Sequence, residues 1–210
     1  MTQAYIIVSY ILTFSFVLTA LRQYGSKMFH FFLILGLTGI SGQILYYLKI
    51  NPNIAAIAGS HMVLFFFHHR YFSRATNALH LTSYAFLSAI VYFYLPFPYI
   101  HIYFILLHFC IIAFILNRAL LFIHKYLEVR IFHVVLLLYE ISVLGKYLSL
   151  VMDQSSGIYY FVITNIFEIF IAVFFMIVRE EKSRLVIRLT NNRELVTARL
   201  DTPYFKRWDI

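Results

Sequence analysis

IFHVVLLLYEISVLGKYLSLVM, the stretch from Ile131 to Met152, decides the fold. At a rise of about 1.5 Å per residue it makes a helix of roughly 33 Å, long enough to cross a hydrocarbon core of about 30 Å. Apolar residues occupy all sides of such a helix, and Glu140 and Lys146 are its only Glu, Asp, Lys or Arg. A surface helix of a soluble protein would instead carry a polar stripe, so this one reads as a membrane span.

Working outward, six further runs have the same character. With the first they lie at about 4–22, 28–48, 54–72, 78–96, 99–117, 131–152 and 157–178, each near the roughly 20 residues a span requires. The breaks have chemical causes. Pro52 between Asn51 and Asn53, and the Pro96-Phe97-Pro98 triplet, remove backbone donors and stop helices. The expected fold class is therefore an all-α integral membrane protein: a seven-helix antiparallel bundle over 1–178, followed by a short basic tail over 179–210. The first run has neither a basic leader nor a small-residue cleavage site, so it reads as a retained helix.

Composition agrees. The chain is 62% hydrophobic, 20% aromatic and 12% charged, with a mean hydropathy of +0.80, which is too much apolar surface for one soluble core. Its formal charge of +8 would suit nucleic acid only if the basic residues were clustered on a wet face. They sit between apolar spans instead, which excludes that partner and leaves the bilayer. Cys110 is the only cysteine, so no intrachain disulfide or thiolate cluster forms.

Orientation follows from the basic residues, because short loops rich in Lys and Arg stay cytoplasmic. Arg22 and Lys27, Arg70 and Arg74, Arg118 with Lys125 and Arg130, and Arg179 with Lys182 and Arg184 occupy every second boundary. The alternate boundaries carry only Lys49. The expected location is the cell inner or plasma membrane, with the N-terminus outside and the C-terminus in the cytoplasm.

Outside the spans, two segments can meet a partner. Residues 118–130 mix Leu120, Leu121, Phe122 and Leu127 with basic residues, reading as an extension of the fifth helix or an interfacial amphipathic stretch. In the tail, two alternating runs flank Asn191-Asn192 and suggest a small β-hairpin, with a disordered or helical basic tail as the alternative. Arg184, Arg188, Arg193 and Arg199 are its candidate partner-binding residues.

Ionisable groups within a span are expensive unless paired or hydrated, which makes them the informative residues. Glu140 and Glu168 fall at nearly the same depth, on the sixth and seventh runs. Together with Lys146 and Asn165 they form the candidate buried polar site, able to share a proton, bind a cation or ligand, or make a structural interhelical hydrogen bond. Lys146, six residues beyond Glu140, lies about 120° round the helix and about 9 Å nearer the outside, so it pairs with another helix or snorkels.

His61 and His108 lie at similar depth on the third and fifth runs. They are candidates for a proton relay or for axial ligation of a b-type haem, the one cofactor this pattern suggests. No zinc-binding motif, phosphate loop or nucleophile elbow is present, so no metal site or catalytic residue is assigned and enzyme activity is disfavoured. Gly36, Gly39 and Gly42 on the second run and Gly59 on the third are expected to let those two helices approach closely, or to form an oligomer face.

The first functional expectation is a sensory or signal-transducing module, or a non-catalytic subunit of a membrane complex, coupled through its cytoplasmic tail to a protein partner or a second copy of itself. The topology resembles that of seven-helix receptors in architecture, without any receptor motif. The alternatives are a small proton- or cation-coupled transporter or channel using Glu140 and Glu168, and a haem-bearing electron carrier.

Overall fold

The structure, a computed structural model, describes residues 2–69, 72–152, 154–179 and 185–188. These form seven helices in chain order: α1 (Thr2–Arg22), α2 (Phe29–Tyr47), α3 (Asn53–His68), α4 (Arg74–Tyr94), α5 (Phe97–Tyr126), α6 (Ile131–Met152) and α7 (Gln154–Ile177). Two short strands, β1 (Glu128–Arg130) and β2 (Val186–Arg188), complete the described elements. The sixth run is α6 to the residue, and the others differ from expectation only at their ends. α5 runs on to Tyr126, so most of 118–130 is indeed an extension of the fifth helix. α7 begins at Gln154, drawing Ser155, Ser156 and Gly157 into its first turn.

Five helices, α1, α2, α5, α6 and α7, contain segments long and apolar enough to cross a membrane. The other two fall short for different reasons. α3 has 16 residues, about 24 Å of rise, and ends at His68 rather than near 72. α4 has 21 residues, but Thr76, Asn77, His80, Thr82, Ser83 and Ser88 dilute its apolar character.

Packing closes a ring. α1 lies against α2 and α7, α2 against α3, α3 against α5, α5 against α6, and α6 against α7, while α4 packs chiefly on the outside of α3. Val91 of α4 seals that contact with Ile57 of α3 and with Ile100 and Phe104 of α5. The polarity of the ring is inverted relative to a soluble bundle. Phe14, Leu21, Leu106, Phe109, Ile163 and Phe170 face outward and are exposed, whereas Glu140, Lys146, Asn165 and Glu168 are buried inside.

Glycine explains the closest approaches. A Cβ on Gly36 would meet Val17 of α1 at 3.0 Å, one on Gly39 would run into Thr13 of α1, and one on Gly59 would run into Thr38 of α2. The small residues of α2 thus serve α1 rather than α3, and Gly59 alone carries the expected α2–α3 approach. Gly42 has open space around it and packs nothing.

On the side where α1 and α7 end, phenylalanines fill the interior. Phe31, Phe32, Phe132 and Phe175 are fully buried, with ring centroids of Phe32 and Phe132 lying 4.9 and 4.8 Å from Phe175. Gln23, just past α1, donates through Nε2 to the carbonyls of Phe175 at 2.7 Å and Val178 at 2.9 Å. Arg179 donates back to the carbonyl of Tyr24. The Gln23 bonds cap carbonyls at the end of α7, and together with the Arg179 bond they lock the first helix to the last. In the turn between α1 and α2, Gly25 adopts the left-handed conformation, with φ 78°, that glycine takes without strain.

Left-handed Leu127 ends α5 and turns the chain into β1, which pairs antiparallel with β2. Glu128 faces Arg188, Val129 faces Ile187, and Arg130 faces Val186. Within the first alternating run of the tail, Val186–Arg188 is therefore a strand, and it pairs with the α5–α6 loop. Asn191-Asn192 and the second run lie outside the described residues.

Candidate functional site

The helix ring lines a cavity of about 200 Å³. Its walls come from α1 (Tyr5, Ser9, Thr13, Phe16), α2 (Thr38, Gly39), α3 (Ala56, Gly59, Ser60), α5 (His108), α6 (Tyr139, Glu140, Val143, Lys146, Tyr147) and α7 (Phe161, Asn165, Glu168), among others. The glycines that draw the helices together thus also shape the cavity wall. All four residues expected to form a buried polar site line this one space.

One buried ion pair and one buried imidazole–carboxylate hydrogen bond organise it. Lys146 Nζ donates to Glu168 Oε2 at 2.7 Å and to Asn165 Oδ1 at 2.6 Å. Asn165 and Glu168 are one turn apart on α7, so a single ammonium reaches both. Ser142 Oγ donates to the other Glu168 oxygen at 3.1 Å, which leaves that carboxylate held on both sides. Lys146 reaches this depth because a helical Cα–Cβ bond tilts toward the helix N-terminus, and its four-carbon stem makes up the axial offset. Snorkelling toward the outer headgroups does not occur.

The second pair was not foreseen as a pair. His108 Nδ1 donates to Glu140 Oε2 at 2.8 Å, and Ser60 Oγ donates to His108 Nε2 at a long 3.4 Å. Tyr147 stacks on the His108 ring, with centroids 5.8 Å apart and planes within 22°, and on Phe104 at 4.4 Å. Glu140 and Lys146 lie on the same helix without pairing, as their angular separation requires. Each instead finds its partner on a neighbouring helix.

His61 belongs to a different network. Ser88 Oγ donates to the carbonyl of Tyr84 at 2.7 Å and accepts from His61 Nδ1 at 2.8 Å, while Tyr103 donates its hydroxyl to His61 Nε2. That set of bonds is satisfied by neutral His61 protonated on Nδ1. Nearer the end of α3, His68 Nδ1 donates to the carbonyl of Leu64 at 2.8 Å, and His68 Nε2 lies 3.2 Å from His80 Nδ1 of α4. These bonds fasten α4, the least apolar helix, to α3 in a setting where apolar side chains alone supply little helix–helix attraction.

The same geometry bears on haem. Both ring nitrogens of His61 and both of His108 have protein partners, and only His108 lines the cavity. Axial ligation would break a hydrogen bond on each ring and would need more room than about 200 Å³. The residues present do not fit that group. Among the described residues, no cluster of three or more His, Cys, Asp or Glu could hold a metal ion.

Arg188 lies in β2, opposite Glu128, while Arg184, Arg193 and Arg199 lie outside the described residues. Reading the sequence alone missed Ser60, Ser142 and Gln23. The last two had a local signal, since Ser142 is two residues from Glu140 and Gln23 closes the first apolar run. Comparison with protein-family models, curated proteins and solved structures finds no match to this chain.

Proposed function

We propose that this chain is a seven-span membrane protein, N-terminus outside and C-terminus in the cytoplasm, that senses a small ligand in its central cavity and signals through its cytoplasmic face. The observation that carries this reading is the position of α6. It supplies Glu140 and Lys146 to the cavity and starts at Ile131, whose backbone N–H donates to the carbonyl of Leu185 at 3.1 Å, next to the β1–β2 pair. A ligand that reorders either the Lys146–Glu168 or the His108–Glu140 pair moves a helix whose other end holds the tail. The phenylalanine cluster supports a sensor over a through-pore, because it fills the ring between the cavity and that end.

Affinity capture of the full chain in mild detergent tests this. A stoichiometric protein partner is expected, lost when Ile187→Pro removes a β2 donor and altered in yield by Glu168→Gln. Capture of no partner by the unaltered chain would refute the transducing role.

A second reading, a small proton- or cation-coupled transporter, is favoured by one observation: two carboxylates share the cavity. Proton flux into proteoliposomes that disappears in Glu140→Gln would establish it in place of the first.

A further inference from the structure

We infer that the central cavity is a binding site for a small organic ammonium ion, a ligand class that rests on the sensing role proposed above. Charge makes the first argument. The lining holds two carboxylates, Glu140 and Glu168, against one ammonium, Lys146, with His108 as the remaining titratable imidazole. Both Glu168 oxygens already accept hydrogen bonds, Oε1 from Ser142 and Oε2 from Lys146, the latter an ion pair. Glu140 contacts His108 through Oε2, so Oε1 is the oxygen that pair does not use. One carboxylate in excess inside an apolar shell attracts a cation, and an anion would find the only lysine already paired.

Ring chemistry makes the second argument and selects the kind of cation. Tyr5, Phe16, Tyr139, Tyr147 and Phe161 are cavity walls, and Lys146 Nζ already sits 5.4 Å from the Phe161 centroid. Aromatic faces attract alkylammonium groups, quaternary ones above all, whereas a metal ion prefers a cage of oxygens. Size makes the third. About 200 Å³ admits a small organic molecule of roughly benzene's size, or about six waters at about 30 Å³ each.

The test is thermal unfolding of the full chain in lipid nanodiscs, titrated with ethylammonium and tetramethylammonium chlorides against sodium chloride and sodium acetate at matched ionic strength. A saturable rise in Tm with an ammonium salt is expected, absent with sodium chloride. Its midpoint should weaken at least about tenfold in Glu140→Gln, the loss of one charge-assisted contact. Ala56→Leu fills the wall from α3 while leaving every charged group in place, so it must weaken the response too, even if Glu140→Gln fails to fold. Ile187→Ala, outside the cavity, should respond like the unaltered chain. No saturable shift with either ammonium, or a shift equal in all variants, overturns the inference. A saturable acetate response that Lys146→Met abolishes overturns the ammonium class but leaves the sensing role standing. Partner capture that no cavity variant alters refutes that role separately.

Discussion

Lys146 Nζ of α6 stands 2.7 Å from Glu168 Oε2 of α7, and both side chains are buried in the centre of the helix ring. The pair joins neighbouring helices, and because both charges are buried each single loss strands the other, so the two single losses together exceed what the pair itself is worth.

Removing one partner therefore strands the other. Lys146→Met should destabilise the protein by about 3–5 kcal/mol, because Glu168 is left buried without its ammonium. The double variant Lys146→Met with Glu168→Leu should recover much of that loss. Thermal unfolding of the three proteins in one detergent measures the coupling, and equal, additive losses would show that the pair contributes nothing as a pair.

The glycines separate into two kinds. Gly39→Ala and Gly59→Ala each force a methyl into a threonine of the facing helix, costing about 1–3 kcal/mol before any gain in helix propensity. Gly42→Ala meets no atom within 4 Å and should be neutral or stabilising by up to about 1 kcal/mol. Unfolding midpoints of the single variants decide it; a Gly42→Ala protein as unstable as Gly59→Ala would mean that Gly42 packs against something, such as a second copy of the chain.

Val129 and Ile187 are directly opposed on β1 and β2. Opposed residues on antiparallel strands have Cα atoms about 4.5–5.5 Å apart, within the range a disulfide spans. With Cys110 replaced by Ala, the double variant Val129→Cys and Ile187→Cys should form an intramolecular crosslink under mild oxidation, seen as a shift in gel mobility that reductant reverses. Failure to crosslink would show that the tail does not dock on the α5–α6 loop.

The proposed orientation, with the N-terminus outside, predicts which loops face which side. In the Cys110→Ala background, a cysteine at Asn51 should react with a membrane-impermeant thiol reagent in intact cells, and one at Tyr24 only after lysis, both positions being exposed. The opposite pattern would invert the proposed orientation.

How much of the site was legible can be followed residue by residue. Glu140, Lys146 and Glu168 stood out because an ionisable group in an apolar run is costly anywhere in a bilayer, a cost independent of tertiary detail. His108 stood out only as a histidine at a given depth, and its bond to Glu140 had no sequence signal because the two are 32 residues apart on different helices. Gly36 and Gly39 were recognised as packing residues while their partner helix was not, since a small residue permits approach without naming what approaches.

The sequence by itself determined where the helices run, which residues are too polar to face lipid, and which helix boundaries carry positive charge. Each of these is set by the free energy of transferring local chain segments between water and hydrocarbon. Only the tertiary structure decided that α1 closes on α7, that α4 lies outside the ring, that Lys146 takes Glu168 while Glu140 takes His108, and that β2 finds the α5–α6 loop. Those outcomes depend on the rotation of each helix about its own axis, which contacts between distant segments set and no single run of residues encodes.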